Sequence, residues 1–359
     1  MVKLLGKGRK DIKKGRITIY DIAKEAGVSP STVSRVLTGS ARVHPETMKK
    51  VTSIIKKYNF RPNSLARSLL YKQSKMIGFV LPDINHPFFS TLVLKSEAHA
   101  LKLGYTSFLC NSMDDVNIES AYLQNLIDKQ VDGIIFLGGR INSYEQTPQY
   151  QKHVEEMQQI MDRVPLVLIN GQMPGLDAHV IRTDEESGIH KLVELLVNHG
   201  HRKIGLLGGD ETVSSTILKR KAFSQALKKH NLSVNPEWFI ASDFSIESGE
   251  EAAARLLDLS EKPTAVLCVN DFVAIGAIKM FNKFGLRVPE DISVTGFDDI
   301  YLAEHFPPGI TTVSQNYDRL GEMAVNVLVE LIEGKEVEKE TIIPTSLVIR
   351  NSCQKLLTK

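Results

Sequence analysis

Apolar and polar positions alternate along this chain in two rhythms, and the change falls near residue 75. Between Thr18 and Gly39, the apolar set Ile22, Ala23, Ala26 and the set Val33, Val36, Leu37 recur at helical spacing on either side of Gly27. Thr18 with Asp21 three residues on predicts a capping box, and Gly27 predicts the end of that helix. Ser29 as N-cap and Pro30 at the first helical position predict the start of a second helix. Its outward face is then Pro30, Ser31, Thr32, Ser34 and Arg35. A third helix is predicted from Pro45 to Tyr58, with Val51, Ile54, Ile55 and Tyr58 inward and Lys49, Lys50, Lys56 and Lys57 outward. Three short helices, the first two joined by a tight glycine turn, make a helix-turn-helix module over about residues 17–61.

From Met76 the rhythm changes to apolar runs separated by helical patterns. The runs are MIGFVLP, YTSFLC, VDGIIFLG, PLVLIN, KIGLLGG, TAVLCVN, DISVTGF and TTVSQ. Helices are predicted between them, for instance over Glu119–Lys129, Asp184–His199, Leu218–His230, Ile246–Leu257 and Phe272–Phe284. This is parallel α/β organisation, long enough for two lobes. Between the two regions, Arg61-Pro62 stops the third helix. Asn63 then caps a short segment carrying Leu65, Ala66, Leu69 and Leu70. Its leucines, flanked by Arg67, Lys72 and Lys75, suit either a minor-groove wedge or a linker packed on the body.

Charge changes the picture of the first region only. Residues 1–75 hold eighteen Lys/Arg against four Asp/Glu, a net of +14, while residues 76–359 carry −12. A basic head on an acidic body points to a polyanion partner for the head, nucleic acid before an anionic membrane surface. A helix face of small hydroxyls and one arginine fits that partner, because arginine pairs bidentately with guanine in the major groove. The opening MVKLLGKGRKDIKKGR reads as a basic, disordered tail without a signal-peptide core, and no run is long enough to span a bilayer. Cys110, Cys268 and Cys353 fit no metal pattern or disulfide framework, so the chain reads as cytoplasmic.

Ligands of parallel α/β sheets bind at the carboxyl ends of the strands. Those ends carry Asp83, Asn85, Asn111, Asn170, Asn270, Asp271 and Asp298, several beside Phe88, Phe89 and Phe297. Carboxylates and amides bond hydroxyls, and aromatic faces cover the C–H faces of a sugar ring, so the set suits a small polyhydroxylated ligand. Asn and Asp are also ordinary turn formers, and Asn85, Asp184 and Asp271 sit where helix caps belong. The chain has no phosphate-binding G-x-x-x-x-G-K-[ST] loop, no strand-to-helix G-x-G-x-x-G, no H-E-x-x-H and no G-x-S-x-G, so neither an enzyme nor a cofactor or metal site is expected. His199 and His201 flank a helix-ending glycine and need no metal. Helix N-termini leave a sugar phosphate open.

The segments TIYDIAKEAGVSPSTVSRVLTG and VHPETMKKVTSIIKKYNFRPNSLARSLL resemble the DNA-binding head of the LacI/GalR transcriptional regulators, and the order of features continues through nearly the whole chain. The resemblance implies an all-α helix-turn-helix head, a hinge helix over 62–75, and a two-lobed, periplasmic-binding-protein-like parallel α/β core. Lobe 1 would comprise about 76–178 and 317–344, and lobe 2 about 179–313 and 345–359. It implies a homodimer on a palindromic double-stranded DNA operator. Pro30, Ser31 and Arg35 would read bases, Thr32 and Ser34 would meet phosphates, and Thr18, Tyr20 and Ser29 belong to the same DNA-facing set. Asn63, Ala66, Arg67 and Leu69 would contact DNA from the hinge, with Leu69 intercalating.

For the cleft, LPDINHPFF (81–89), CVNDFVAIGA (268–277) and ISVTGFDD (292–299) carry effector roles onto Asn85, Phe88, Phe89, Asn270 and Asp298. Asn111, Phe244 and the cross-lobe Gln315 join them by the same resemblance. One position departs from the family. Where an arginine four residues before an aromatic is usual, KRKAF gives Lys219, with Arg220 next; either Arg220 takes the role or the ligand is recognised differently. Residues 140–162 are longer than usual, with Tyr144 either at the cleft mouth or on a surface helix. The expectation is a ligand-responsive repressor of carbohydrate-related genes. A sugar-binding receptor without a DNA role, a sugar-processing enzyme fused to a DNA-binding head, and a corepressor-dependent regulator of another metabolite class remain open at this point.

Overall fold

A computed structural model describes residues 17–38, 43–60, 73–143, 145–146 and 148–356. The chain divides into two compact units, residues 1–74 and 75–359. The basic tail (1–16), the hinge positions Asn63, Ala66, Arg67 and Leu69, and Tyr144 lie outside the described residues.

In the first unit three helices form where the caps place them: α1 (Ile19–Ala26), α2 (Pro30–Thr38) and α3 (Pro45–Lys57). The capping box is complete, with Thr18 N donating to Asp21 Oδ2 at 2.9 Å and Asp21 N to Thr18 Oγ1 at 3.3 Å. The hydroxyl of Thr18, donating to the same carboxylate, and after it the backbone N–H hold the Asp21 carboxyl below its ordinary range. Gly27 closes α1 at φ +66°, a conformation that glycine adopts at no steric cost. Ile22, Ala23, Ala26, Val33, Val51 and Ile54 pack into one small core. Tyr58, expected on that face, is instead exposed and lies under Lys57 Nζ, because α3 ends one residue earlier and its C-cap turns the ring out. Such a core leaves little margin. Thr18→Ala should therefore cost about 1 kcal/mol, read as a several-fold loss of amide-exchange protection across α1.

In the second unit a six-stranded parallel sheet runs in the order β11-β5-β4-β3-β1-β2. Its strands are β1 (Met76–Leu81), β2 (Thr106–Asn111), β3 (Gly133–Leu137), β4 (Leu166–Ile169), β5 (His179–Thr183) and β11 (Glu340–Ile343). The apolar runs are unbroken because both faces are covered. Ile77, Phe79, Ile135 and Leu137 enter one core, and Val80, Ile134, Phe136 and Leu166 enter the other. Helices α4 (Pro87–Lys102) and α12 (Tyr317–Ile332) cover one face; α5 (Val116–Asp128) and α6 (Tyr150–Met161) cover the other.

The second lobe is a parallel sheet, β7-β6-β8-β9, built from β6 (Ile204–Leu207), β7 (Phe239–Ile240), β8 (Ala265–Cys268) and β9 (Ser293–Thr295). It is enclosed by α7 (Glu185–Asn198), α8 (Ser214–Lys229), α9 (Ile246–Leu257) and α10 (Asp271–Lys283), and a short α11 (Tyr301–His305) follows β9. An antiparallel pair, β10 (Thr312–Ser314) with β12 (Ser346–Val348), completes it. The chain passes between lobes after Thr183, after Ser314 and after Ile343. The first crossing comes later than the expected boundary at 178–179, because β5 hydrogen-bonds β4 and β11 and so belongs to the first sheet.

All three cysteines are buried and unbridged. His201 is likewise buried: its backbone N–H closes α7 on the Leu196 carbonyl, and its ring, bonded to Thr264 Oγ1 and the Gln354 carbonyl, ties the C-terminal segment to lobe 2. Among the described residues, no helix is long and apolar enough to cross a membrane.

Candidate functional site

On the first unit, Ser31 and Arg35 are exposed one helical turn apart on α2, with Thr32 and Ser34 half-buried beside them. Ser29 is occupied as the cap, its Oγ accepting from Thr32 N at 3.2 Å and lying 2.7 Å from Ser31 Oγ. Pro30 opens the helix, and Tyr20 stands 70% exposed on α1. The hydroxyl of Thr18 is turned to Asp21 at 2.7 Å.

Between the lobes of the second unit lies a cavity of about 670 Å³. Strand ends β1, β3, β4, β8 and β9 each feed a loop into it, as the parallel topology requires. Of the expected effector residues, Phe88, Phe89, Lys219, Phe244, Asn270, Asp298 and Gln315 line it. The strand-end residues Asp83 and Asn170 do too.

Three expected residues are placed elsewhere. Asn85 is exposed, its N–H and Nδ2 both donating to Asp83 Oδ1. Its neighbour His86 enters the cavity instead, because Pro87 occupies the first position of α4 and makes His86 the cap, Nδ1 accepting from Phe88 N at 3.3 Å. Asn111 Oδ1 accepts from Ile84 N at 2.8 Å, bracing the loop behind the cavity wall. Arg220 turns away to pair with Glu211 and to stack over Phe239. Of the two alternatives posed by KRKAF, the side chain of Arg220 is thus directed elsewhere, while Lys219 lines the cavity. Asp271 is also structural, accepting from Ile300 N and Thr312 Oγ1, and Asn270 is the cap of α10.

The floor of the cavity is a hydrogen-bonded polar network joining the lobes. Gln315 Oε1 accepts from Asn170 Nδ2 and Thr183 Oγ1, each at 2.6 Å, and its Nε2 donates to Asp298 Oδ1 at 2.5 Å. Asn170 and Thr183 belong to lobe 1 and Asp298 to lobe 2, so one amide reports the relation of the two. Asn170 (φ +46°), Asp298 (φ +103°) and Asn316 (φ +51°) hold the left-handed region around it, an arrangement that costs energy at non-glycine residues. Burial pushes the Asp298 carboxyl up to about 6, against the pull of Lys219 and Gln315. Lys219 itself is 6% exposed, donating to the Val269 carbonyl at 3.1 Å, pairing Glu185 at 3.3 Å and lying 4.2 Å over the Phe297 ring.

On the aromatic side, His86 meets Phe272 edge-on at 5.2 Å and Phe89 at 5.6 Å, and its Nε2 lies 3.2 Å from Asn270 Nδ2 in the opposite lobe. Burial holds His86 down at about 4, so it is neutral at pH 7. One wall is braced by Arg140, whose side chain is wholly buried. It donates to Glu119 and Glu156 carboxylates at 2.7 and 2.6 Å, and to the Val116 carbonyl and Ser120 Oγ, each at 2.7 Å. Sequence reasoning missed His86, Phe272, Glu185 and Arg140; Pro87 was the available signal for the first. Among the described residues no group of side chains is arranged to hold a metal ion.

A helix-turn-helix unit and a two-lobed body enclosing a polar, aromatic-walled cavity together define a DNA-binding regulator that responds to a small molecule. Residues 18–63 match the bacterial regulatory proteins of the lacI family, and residues 193–353 match the periplasmic binding protein-like domain. The chain is 35% identical to the HTH-type transcriptional repressor PurR of Mannheimia succiniciproducens over 94% of its length and 99% of that protein's. The lac repressor dimer bound to operator and the anti-inducer ONPF superposes with a TM-score of 0.83 at 30% identity, over 95% of this chain and 100% of that one. A complex of the transcriptional regulator CelR with cellobiose superposes at 0.69, with 26% identity over 94% of this chain and 100% of that one. The chain belongs to the lacI family of bacterial regulatory proteins. It is a DNA-binding transcriptional repressor of that family, and its relatives are repressors, not enzymes.

Proposed function

We propose that this protein represses transcription as a homodimer on a palindromic operator, and that a small polyhydroxylated molecule, a sugar or sugar derivative, occupies the interlobe cavity and sets operator affinity. The observation that carries the reading is the Asn170–Gln315–Asp298 network. It offers a polyol a carboxylate and amides on one side of the cavity, faces aromatic rings on the other, and spans both lobes at once. A ligand that bonds these groups changes the relation of the lobes only by its differential affinity for their arrangements, which is a coupling free energy to DNA. The cellobiose complex of CelR supports a sugar in the corresponding fold.

The test is fluorescence anisotropy on a labelled palindromic operator, titrated with a panel of sugars at fixed salt. Operator binding above that of random DNA, shifted by one member of the panel, is the expected result. Sequence-blind binding that no sugar changes would sink the reading. Within it, Arg35→Ala should weaken specific binding about tenfold or more, on the order of 1–3 kcal/mol, and relax preference at one base pair per half-site. Equal loss on operator and random DNA would make Arg35 a phosphate contact.

A further inference from the structure

We propose that the effector is a polyol bearing a basic amine, such as an amino sugar, and that the cavity excludes phosphorylated and carboxylated sugars; this rests on the effector reading above. The argument is one of charge against charge. Among the described residues two cationic side chains, Arg140 and Lys219, line the cavity, and both are already committed. Arg140 spends its guanidinium on Glu119, Glu156, Val116 and Ser120 with no exposure at all. Lys219 is held between Glu185 and the Val269 carbonyl. Arg140 is held by four groups, and the Lys219 ammonium is shared between a carboxylate and a carbonyl.

The carboxylates are not neutralised in return. Asp83, Asp114, Asp210, Asp243 and Asp298 all line the cavity, and none forms an ion pair among the described residues. Asp210 and Asp243 accept from the N–H groups of their own turns, Thr212 and Ser245, at 2.7 Å each. Asp298 is 4% exposed, with its Oδ1 taken by Gln315.

Asp83 and Asp114 provide the seat for the amine. They follow the adjacent strands β1 and β2, which are paired to their ends at Leu81 and Asn111, so their loops leave the sheet side by side. Asp114 stands at φ +56° after Met113 at φ +55°, a left-handed turn that non-glycine residues hold at a cost. Burial first, and then like-charge proximity to Asp83, raise the Asp114 carboxyl, and an ammonium between the two would relieve it. The neutral His86, with the Phe89 and Phe272 rings packed on it, adds aromatic faces to the same cavity for cation–π attraction. A phosphate or carboxylate in the same space would meet carboxylates and no free cation.

The full-length protein is titrated calorimetrically at pH 7 with matched sets for several sugars: the neutral sugar, its amino derivative and its phosphate. Glucose, glucosamine and glucose 6-phosphate form one set. The expected result is an amino member binding at least about tenfold tighter than its neutral parent, with no phosphate binding. The double variant Asp83→Asn/Asp114→Asn should bring amino and neutral members to equal affinity, and its retained operator binding shows that it folds. A neutral member binding as well as the amino one, or a phosphate binding best, overturns the charge assignment and leaves the sugar reading intact. Heat from no member of any set overturns both.

Discussion

Replacing Arg140 by methionine should lower the stability of the body by about 3–5 kcal/mol, the cost of stripping one partner from a buried ion pair. The substitution keeps much of the volume and removes the charge. What remains is Glu119, whose side chain is 1% exposed, and Glu156 beside it, both facing the space the guanidinium filled. Glu119 already sits above the ordinary carboxylate range because burial outweighs even Arg140. Without the arginine it must take a proton to stay inside, so the defect should shrink as the pH is lowered. Glu119→Gln added to Arg140→Met should recover part of the loss, since an amide needs no counter-charge. Urea unfolding of Arg140→Met, Glu119→Gln and the double variant at two pH values decides the matter. Losses that add independently, unchanged by pH, would mean that Arg140 acts through packing alone. The same unit shapes the cavity: Gly139, at φ +58°, has Glu119 Oε1 within 1.8 Å of where a Cβ would lie, so the wall tolerates no side chain there.

The head and the sheets were legible in the chain because local chemistry encodes them. Thr18 with Asp21, Gly27, Ser29 and Pro30 each act within four residues of their own position, and the strands of a parallel sheet advertise double burial as unbroken apolar runs. The short strands β5, β7, β11 and β12 went unread, since HVIRT, FI, ETII and SLV are too brief or too mixed to show a period. The cavity was half legible. Asp298, Asn270 and Gln315 end strands or follow them, where topology sends loops into the cleft. In DINHPFF, a turn decides between adjacent residues that point opposite ways, and it chose His86 over Asn85. Arg140 carried no signal at all, because its carboxylates come from α5 and α6 and an arginine in a sequence reads as solvent-exposed. Lys219 and Arg220 differ by one position on α8, and only the helix phase separates a cavity floor from a surface pair.

Asp298→Asn should make the ligand-free protein more stable at pH 7 and, on the reading proposed above, less responsive to its effector. The folded carboxyl titrates at about 6, against an ordinary value of 3.8, because burial disfavours its charge. The folded state therefore binds the proton more tightly than the unfolded chain. Its protonated form is at no disadvantage below about pH 4, and stability is lost as the pH rises through 6. Two pH units correspond to about 3 kcal/mol, which the folded protein forfeits at pH 7 to keep this carboxylate ionised. Asparagine keeps an acceptor for Gln315 Nε2 and tolerates positive φ better than most residues, so the backbone at φ +103° should survive. The variant should unfold about 2–3 kcal/mol later than the parent at pH 7, with the difference vanishing near pH 4. Effector affinity should fall about 100-fold, because a ligand hydroxyl loses its charged acceptor. Loss of stability together with loss of response would show Asp298 to be a structural residue. A stability difference that ignores pH would show that its carboxyl is not held up. Gain of one property with loss of the other is what a binding site built on stored electrostatic cost requires: Asp298 stays ionised at the fold's expense, and the ligand recovers that expense on binding.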